Sequence, residues 1–356
     1  MTIQELVKLR LQSQHISGVD FKTPHDVARH MGAMQAQDYN GALWAIGLRT
    51  KDATLKDVEQ AILNREIVRT WPMRGTLHFV AAEDIRWMLK LTAPRQIAAQ
   101  AGRRRNLELP DDEIQKAKGV LESVLSKHAY LSRHDLLEFL EKSGIKTAGQ
   151  RGIHILLYWA QSGLICFGPH IGKQPSFALL ENWVPKVKEL SREESLAELT
   201  KRYFTSHGPA TLKDYMWWSS LIAKDAKEGL ELAKKDLTKE VIEDKTYYFS
   251  SALKTSPKPA TYLLPGFDEY MLGYTDRSAI LHTDHAQKVV PGNNGMFLST
   301  VVINGQIAGL WKKVPRAKSI NIQLIPFTSF TSAQKQQIET AAKRYSDFIG
   351  TPVTIA

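Results

Sequence analysis

Apolar residues at Ile3, Leu6, Leu9 and Leu11 recur at helical spacing and predict a helix over residues 2–15. A second helix starts near Thr23. The run ALWAIGLR alternates as a strand does, and TLKDVEQAILNR predicts a short helix. IVRTWPMRGTLHFV reads as two short strands around a proline-containing turn, and a helix plus a β-hairpin is what a winged helix needs. EDIRWMLKLTAPRQIAAQAGRRRNL reads as two helices split by Pro94, ending in the densest basic cluster of the chain, Arg103, Arg104 and Arg105. Further on come a helix, a glycine turn and a second helix. That helix turns Ile153, Leu156 and Ala160 inward and Gln150, His154, Tyr158 and Gln161 outward. A strand–loop–strand follows, with Gly168, Pro169 and Gly172 in a loop that reads as a wing.

A third unit runs from about 190 to 252: helices, then strands around EDKT. From Pro259 the texture changes to strands. STVVINGQIAGLW is two alternating runs joined by Asn304-Gly305, the pair that favours a type I′ hairpin turn. A helix near 332–348 and a short strand close the chain.

A weak repeat links these units. Thr23-Pro24-His25-Asp26, Ser132-Arg133-His134-Asp135 and Thr211-Leu212-Lys213-Asp214 each place a hydroxyl N-cap three residues before an acid. That pair satisfies free amides and favours the helix dipole. Each opens a similar apolar helix, and Thr54-Leu55-Lys56-Asp57 repeats the cap alone. The pattern predicts three helix-turn-helix units.

At 356 residues the chain is long enough for about two to four domains. No apolar run reaches the roughly 18 residues that span a bilayer, and the polar N-terminus has no signal-peptide core. A cytoplasmic, nucleoid-associated protein without a membrane partner is the expectation. The single cysteine, Cys166, excludes an internal disulfide and a CxxC zinc site. The net charge of +10 favours a polyanionic partner, most simply nucleic acid.

No GxxxxGK[ST], no GxGxxG after a strand and no HExxH is present, so no cofactor is expected. His282, Asp284 and His285 read more simply as a solvated polar turn than as a metal site, and none is expected. Asp268 and Glu269, adjacent on an expected strand, would point oppositely; one would cap a turn and the other pair with Arg277. In the hairpin, Arg74 could meet a phosphate and His78 donate to one, or the two could be a paired arginine and a core histidine.

MQAQDYNGALW raises a sharper question. On a helix, residues two apart point about 200° from each other; on extended backbone they share a face. Gln35 and Gln37 lack a useful pKa, yet a pair of amides can orient a water by accepting and donating hydrogen bonds. So weak a tool suffices when the leaving group is already activated. A positively charged alkylated purine is such a group, because its glycosidic bond breaks towards an oxocarbenium-like sugar.

Taken together, MQAQDYNGALWAIGLR, TWPMRGTLHFV, HGPATLKDYMWW, LLPGFDEYMLGYTDRS and GMFLSTVVINGQIAGLWKK resemble the AlkZ-like family of winged-helix DNA glycosylases. The resemblance spreads from residue 30 to about 313. It implies an α+β protein of three tandem winged helices and a C-terminal β-barrel, here divided as 1–92, 93–185, 186–255 and 256–356. It implies removal of alkylated bases from double-stranded DNA and unhooking of interstrand crosslinks. Gln35-Ala36-Gln37 resembles the Gln-x-Gln branch, in which the two amides hold the nucleophilic water and support the sugar cation. By that resemblance the backbone at 35–37 leaves helical geometry so that both amides face one cavity.

With no lysine beside the pair, a water nucleophile and a monofunctional glycosylase are expected. Arg103, Arg104, Arg105, Arg151, Lys312, Lys313 and Arg316 join Arg74 and His78 as candidate DNA contacts, with a solvated charged surface as the plainer reading for about half. Trp44 and Trp71 could line a pocket, though most tryptophans are core. Three unlike winged helices and no dimerisation helix argue for a monomer. Two rivals remain: a non-catalytic winged-helix DNA-binding or regulatory protein, and a glycosidase or nuclease using Asp268, Glu269, Asp276 or the His282–His285 cluster.

Overall fold

The computed structural model describes residues 1–253 and 260–355 of a mixed α+β protein. The chain forms two compact units, Met1–Val58 with Leu196–Ala356, and Glu59–Ser195. The expected junction at 255/256 lies outside the described residues.

All four predicted caps form. Thr23, Thr54, Ser132 and Thr211 each accept from the backbone N–H of the acid three residues on. They open the helices Pro24–Met31, Leu55–Leu63, Arg133–Lys142 and Leu212–Ser219. Local chemistry alone fixes these starts.

In the first unit, Ile3–Ser13 buries Leu6, Leu9 and Leu11 as the stripe requires. Pro24–Met31 ends at Gly32, whose φ of +74° a side chain would strain, and the chain turns into the extended pair Met34–Gln35. The ALWAIGLR stretch is not a strand but part of the helix Tyr39–Arg49. This helix is buried on every side from Gly41 to Arg49, so it lacks the one-sided period that marks a surface helix. Its Trp44 packs against Tyr345 and Phe348, with centroids 5.1 and 5.0 Å away, in the core.

After Arg192–His207 and Leu212–Ser219 come the helix Ala223–Ala233 and the hairpin Leu237–Ile242/Lys245–Ser250. Both turn residues, Glu243 and Asp244, have positive φ. Near the C-terminus, Val353–Ile355, Ile320–Pro326, Gln306–Pro315, Thr300–Ile303 and Thr261–Leu264 pair in that order. The sheet curls as a half-barrel and does not close into the barrel expected. Asn304 and Gly305, at φ 53° and 84°, make the predicted type I′ turn. Ser332–Ile349 packs on this sheet through Ile338, Ala342, Tyr345 and Phe348.

In the second unit, Ile67–Met73 and Thr76–Ala81 form the predicted hairpin, but Pro72 sits inside the first strand. The register shifts between Thr70 and Met73 to admit it, and the turn is Arg74-Gly75, both at positive φ. Ile85–Ala99 runs straight through Pro94 rather than splitting there. The break comes at Gln100, and Ala101–Asn106 carries the arginine cluster. Arg151–Gln161 buries Gly152, Ile155, Leu156, Trp159, Ala160 and also Gln161, one row round from the stripe expected, leaving Ile153 half-buried. Ile165–Phe167 and Ser176–Leu179 pair across the predicted wing loop. Trp71 closes this core against Phe167 and Phe177, which also buries Cys166.

Candidate active site

The segment that carries the two glutamines leaves helical geometry between Met31 and Tyr39. Met34, Gln35 and Ala36 are all buried, Gln35 at 8% exposed, whereas Gln37 lies in a bend and is exposed. Only Met34–Gln35 is a strand, so the extended geometry expected for 35–37 is present at Gln35 and gives way to a bend at Gln37. At the far end, a Cβ on Gly41 would stand 2.6 Å from Asp38 Oδ2 and 3.4 Å from Pro265, so glycine there lets the helix start close against the strand.

What holds this segment was not read from the sequence. Gln35 N–H donates to Glu269 Oε1 at 2.8 Å. Asp268 and Glu269 do not lie on a strand; Asp268 is the N-cap of the short helix Glu269–Leu272 and accepts from Tyr270 N–H. Neither acid pairs with Arg277, which donates to the Met271 carbonyl instead. Asp268 takes a two-pronged bond from the buried Arg49 at 2.8 and 2.9 Å. Glu269, 1% exposed, also meets Trp218 Nε1 at 3.0 Å and His207 Nε2 at 3.3 Å.

The surrounding polar groups tie the network to the core. Arg49 donates further to the backbone and side-chain oxygens of Gln14, and Gln14 Nε2 donates to the Glu269 carbonyl and the Tyr274 hydroxyl. A buried ion pair holds only when its remaining hydrogen-bonding positions are filled, as they are here. One signal for it was in the sequence: an arginine inside the apolar ALWAIGLR needs a buried acid, and Asp268 and Glu269 sit in the similarly apolar LLPGFDEYML.

The basic candidates separate sharply. His78 is 0% exposed; its Nδ1 meets the Thr76 carbonyl and its Nε2 meets Arg74 Nη2 at 2.9 Å. A carbonyl only accepts, so Nδ1 carries the proton and Nε2 accepts from the guanidinium. His78 therefore holds the half-buried Arg74 and does not present itself to a phosphate. Arg151 is likewise turned inward, donating to the carbonyls of Leu107 and Glu108 and pairing with Glu113 at 2.6 Å. Arg103 is exposed and donates to Gln150; Arg104 is half-buried beside the Tyr158 ring, its Nη1 on the Ile97 carbonyl; Arg105 is exposed. Lys312, Lys313 and Arg316 are exposed, and the two lysines point to opposite faces of their strand.

A family model described as DNA glycosylase AlkZ-like matches residues 28–348. The chain belongs to the AlkZ-like DNA glycosylase family. A protein of Streptomyces sahachiroi named interstrand DNA cross-link repair glycosylase is 24% identical over 332 residues, 86% of each chain. The solved structure of the Streptomyces sahachiroi DNA glycosylase AlkZ superposes with a TM-score of 0.81 over the whole of both chains at 21% identity.

This AlkZ-like chain is thus a DNA glycosylase, a hydrolase of N-glycosyl bonds. The glycosidase or nuclease alternative loses its residues, since Asp268 and Glu269 are buried and engaged. Asp276 pairs with Lys245 at 2.7 Å. His282 caps a short helical turn with Asp284 3.5 Å away, while His285 stacks 4.5 Å from Phe327.

Proposed function

We propose that this glycosylase removes cationic alkylated purines from duplex DNA, and unhooks purines joined across the strands by a bifunctional alkylator. Gln35 and Gln37 hold a water against the anomeric carbon. As the bond from C1′ to the purine nitrogen breaks, its electron pair neutralises the charge on the departing base. The water oxygen forms the new bond to C1′ and its proton leaves to solvent. No lysine lies within the segment to form a Schiff base, so the strand stays intact and an abasic site remains.

The observation that carries this reading is the non-helical Gln-x-Gln break between two helices, a strand at Met34–Gln35 fixed through Gln35 N–H to a buried carboxylate. The name of the Streptomyces relative supports the crosslink part. Arg74, Arg103, Arg104, Arg105, Lys312, Lys313 and Arg316 serve as phosphate contacts, consistent with the net charge of +10. We take the protein to act as a monomer at the nucleoid, through three winged helices spanning 1–92, 93–185 and 186–255 and the C-terminal sheet domain from 256.

The test incubates the protein with a duplex bearing N7-methylguanine and, separately, with a duplex crosslinked between purines. Free modified base together with abasic sites is the expected product. Tight binding to both duplexes with no base released from either would return the chain to a non-catalytic DNA-binding role.

A further inference from the structure

Glu269 stands out as the buried charge nearest the glutamine motif. Its carboxylate meets three nitrogens: the backbone of Gln35 at 2.8 Å, Trp218 Nε1 at 3.0 Å and His207 Nε2 at 3.3 Å. The first two can only donate. The third follows from the far side of the imidazole. There, Nδ1 lies 2.7 Å from Ser206 Oγ, which is also 2.7 Å from the Arg202 carbonyl. With the hydroxyl on Nδ1, the neutral ring carries its proton on Nε2, towards Glu269; with the hydroxyl on the carbonyl, Nδ1 donates to Oγ and a proton on Nε2 as well makes the ring an imidazolium paired with the Glu269 carboxylate. Three donors suit an ionised carboxylate, which accepts only, and not a carboxylic acid, which must also donate.

The row of Ser206, His207 and Glu269 is not a nucleophilic triad. Ser206 and His207 are fully buried, and the serine is spent on a helix carbonyl. What the row does is aim one charged oxygen at the Gln35 backbone. The acid itself is fixed from the other side, because Asp268 next to it is clamped by Arg49 and the Glu269 carbonyl accepts from Gln14.

We propose that Glu269 is the positioning residue of the glutamine pair: its ionised carboxylate locks the extended backbone at Gln35 and sets a buried negative charge one hydrogen bond from the motif. This rests on the reading of Gln35 and Gln37 as the water-holding amides. A charge in a buried site is poorly screened, so the same carboxylate favours the positive sugar that develops as the base departs.

Glu269→Gln preserves size and one acceptor oxygen while removing the charge; Glu269→Ala removes both. With enzyme in excess over a duplex carrying one N7-methylguanine, Glu269→Gln releases base about tenfold to a hundredfold more slowly. Its Kd for abasic duplex stays within about twofold, because phosphate contacts dominate binding. In Glu269→Ala, hydrogen exchange at the Gln35 amide speeds up, with the change confined to residues 34–38. Release by Glu269→Gln at the wild-type rate overturns the proposal. So does a loss that merely follows lowered stability, including failure of Glu269→Gln to fold, which makes the acid a general stabiliser. Gln35→Ala, assayed alongside, separates the two claims. An active Gln35→Ala removes the glutamine reading itself; an inactive Gln35→Ala beside a fully active Glu269→Gln removes only the role of Glu269.

Discussion

The glutamine segment and the arginine cluster at Ala101–Asn106 are built on opposite plans. Around Gln35 the chain is immobilised by a buried carboxylate beside a buried ion pair. Around Arg103 and Arg105 the side chains are long, exposed and held by at most an amide. The first plan suits chemistry, where a water misplaced by an ångström is useless. The second suits a backbone of phosphates met in any sequence, where reach and charge matter and geometry does not. Arg151 and His78 show that a basic residue cannot be assigned to the second plan by its type alone, since both are turned inward.

The contrast can be broken most severely at Arg49. Arg49→Met leaves Asp268 buried without its partner and is expected to cost about 3–5 kcal/mol, read as a lowered urea midpoint. An unchanged midpoint would mean that the network around the glutamines is not what stiffens it.

Next in size is an effect of pH. His30, buried against the Ser13 carbonyl, has its pKa lowered from 6.5 to about 4 by burial. The unfolded chain takes up this proton near pH 6.5 while the folded chain refuses it until about pH 4, so acid favours unfolding. Stability is complete above the unfolded value and falls between those two pH values by about 3 kcal/mol. His15, its ring 4.7 Å away and also lowered by burial against an opposing pull from Asp20, acts in the same direction. Thermal melts of wild type and His30→Gln across this range should converge at low pH; parallel curves would contradict the assignment.

A smaller pair of changes divides the arginines. Arg151→Ala should cost about 1–3 kcal/mol of stability and leave the salt dependence of DNA binding alone, because its partners are internal. Arg105→Ala should leave stability within about 0.5 kcal/mol and reduce the salt slope by about 0.9. The reverse result would place the wrong arginine at the phosphates.

How much of this was legible in the sequence depended on how local the cause was. The caps at Thr23, Thr54, Ser132 and Thr211 and the turn at Asn304-Gly305 were readable because each is settled within a few residues. The helix Tyr39–Arg49 was misread because burial on all sides erases amphipathic spacing. Pro94 was misread because one lost N–H bond does not break a helix that packing holds in place: Thr92 and Ala93 just before it are buried, and the single Thr92 hydroxyl proton lies between the carbonyls of Met88 and Pro72. The glutamines were visible as a motif, whereas Glu269, which anchors them from 234 residues away, was seen only as half of an acidic pair. Local pattern picked out the proposed water-holding amides, and long-range pairing supplied the buried carboxylate behind Gln35.

The claim at the centre is that two neutral amides on one non-helical segment hold the attacking water. Single-turnover release of N7-methylguanine from duplex DNA by Gln35→Ala and Gln37→Ala measures it directly. Each rate should fall by about 10² to 10³ with DNA binding and melting temperature retained. Release by both variants at the wild-type rate would contradict it.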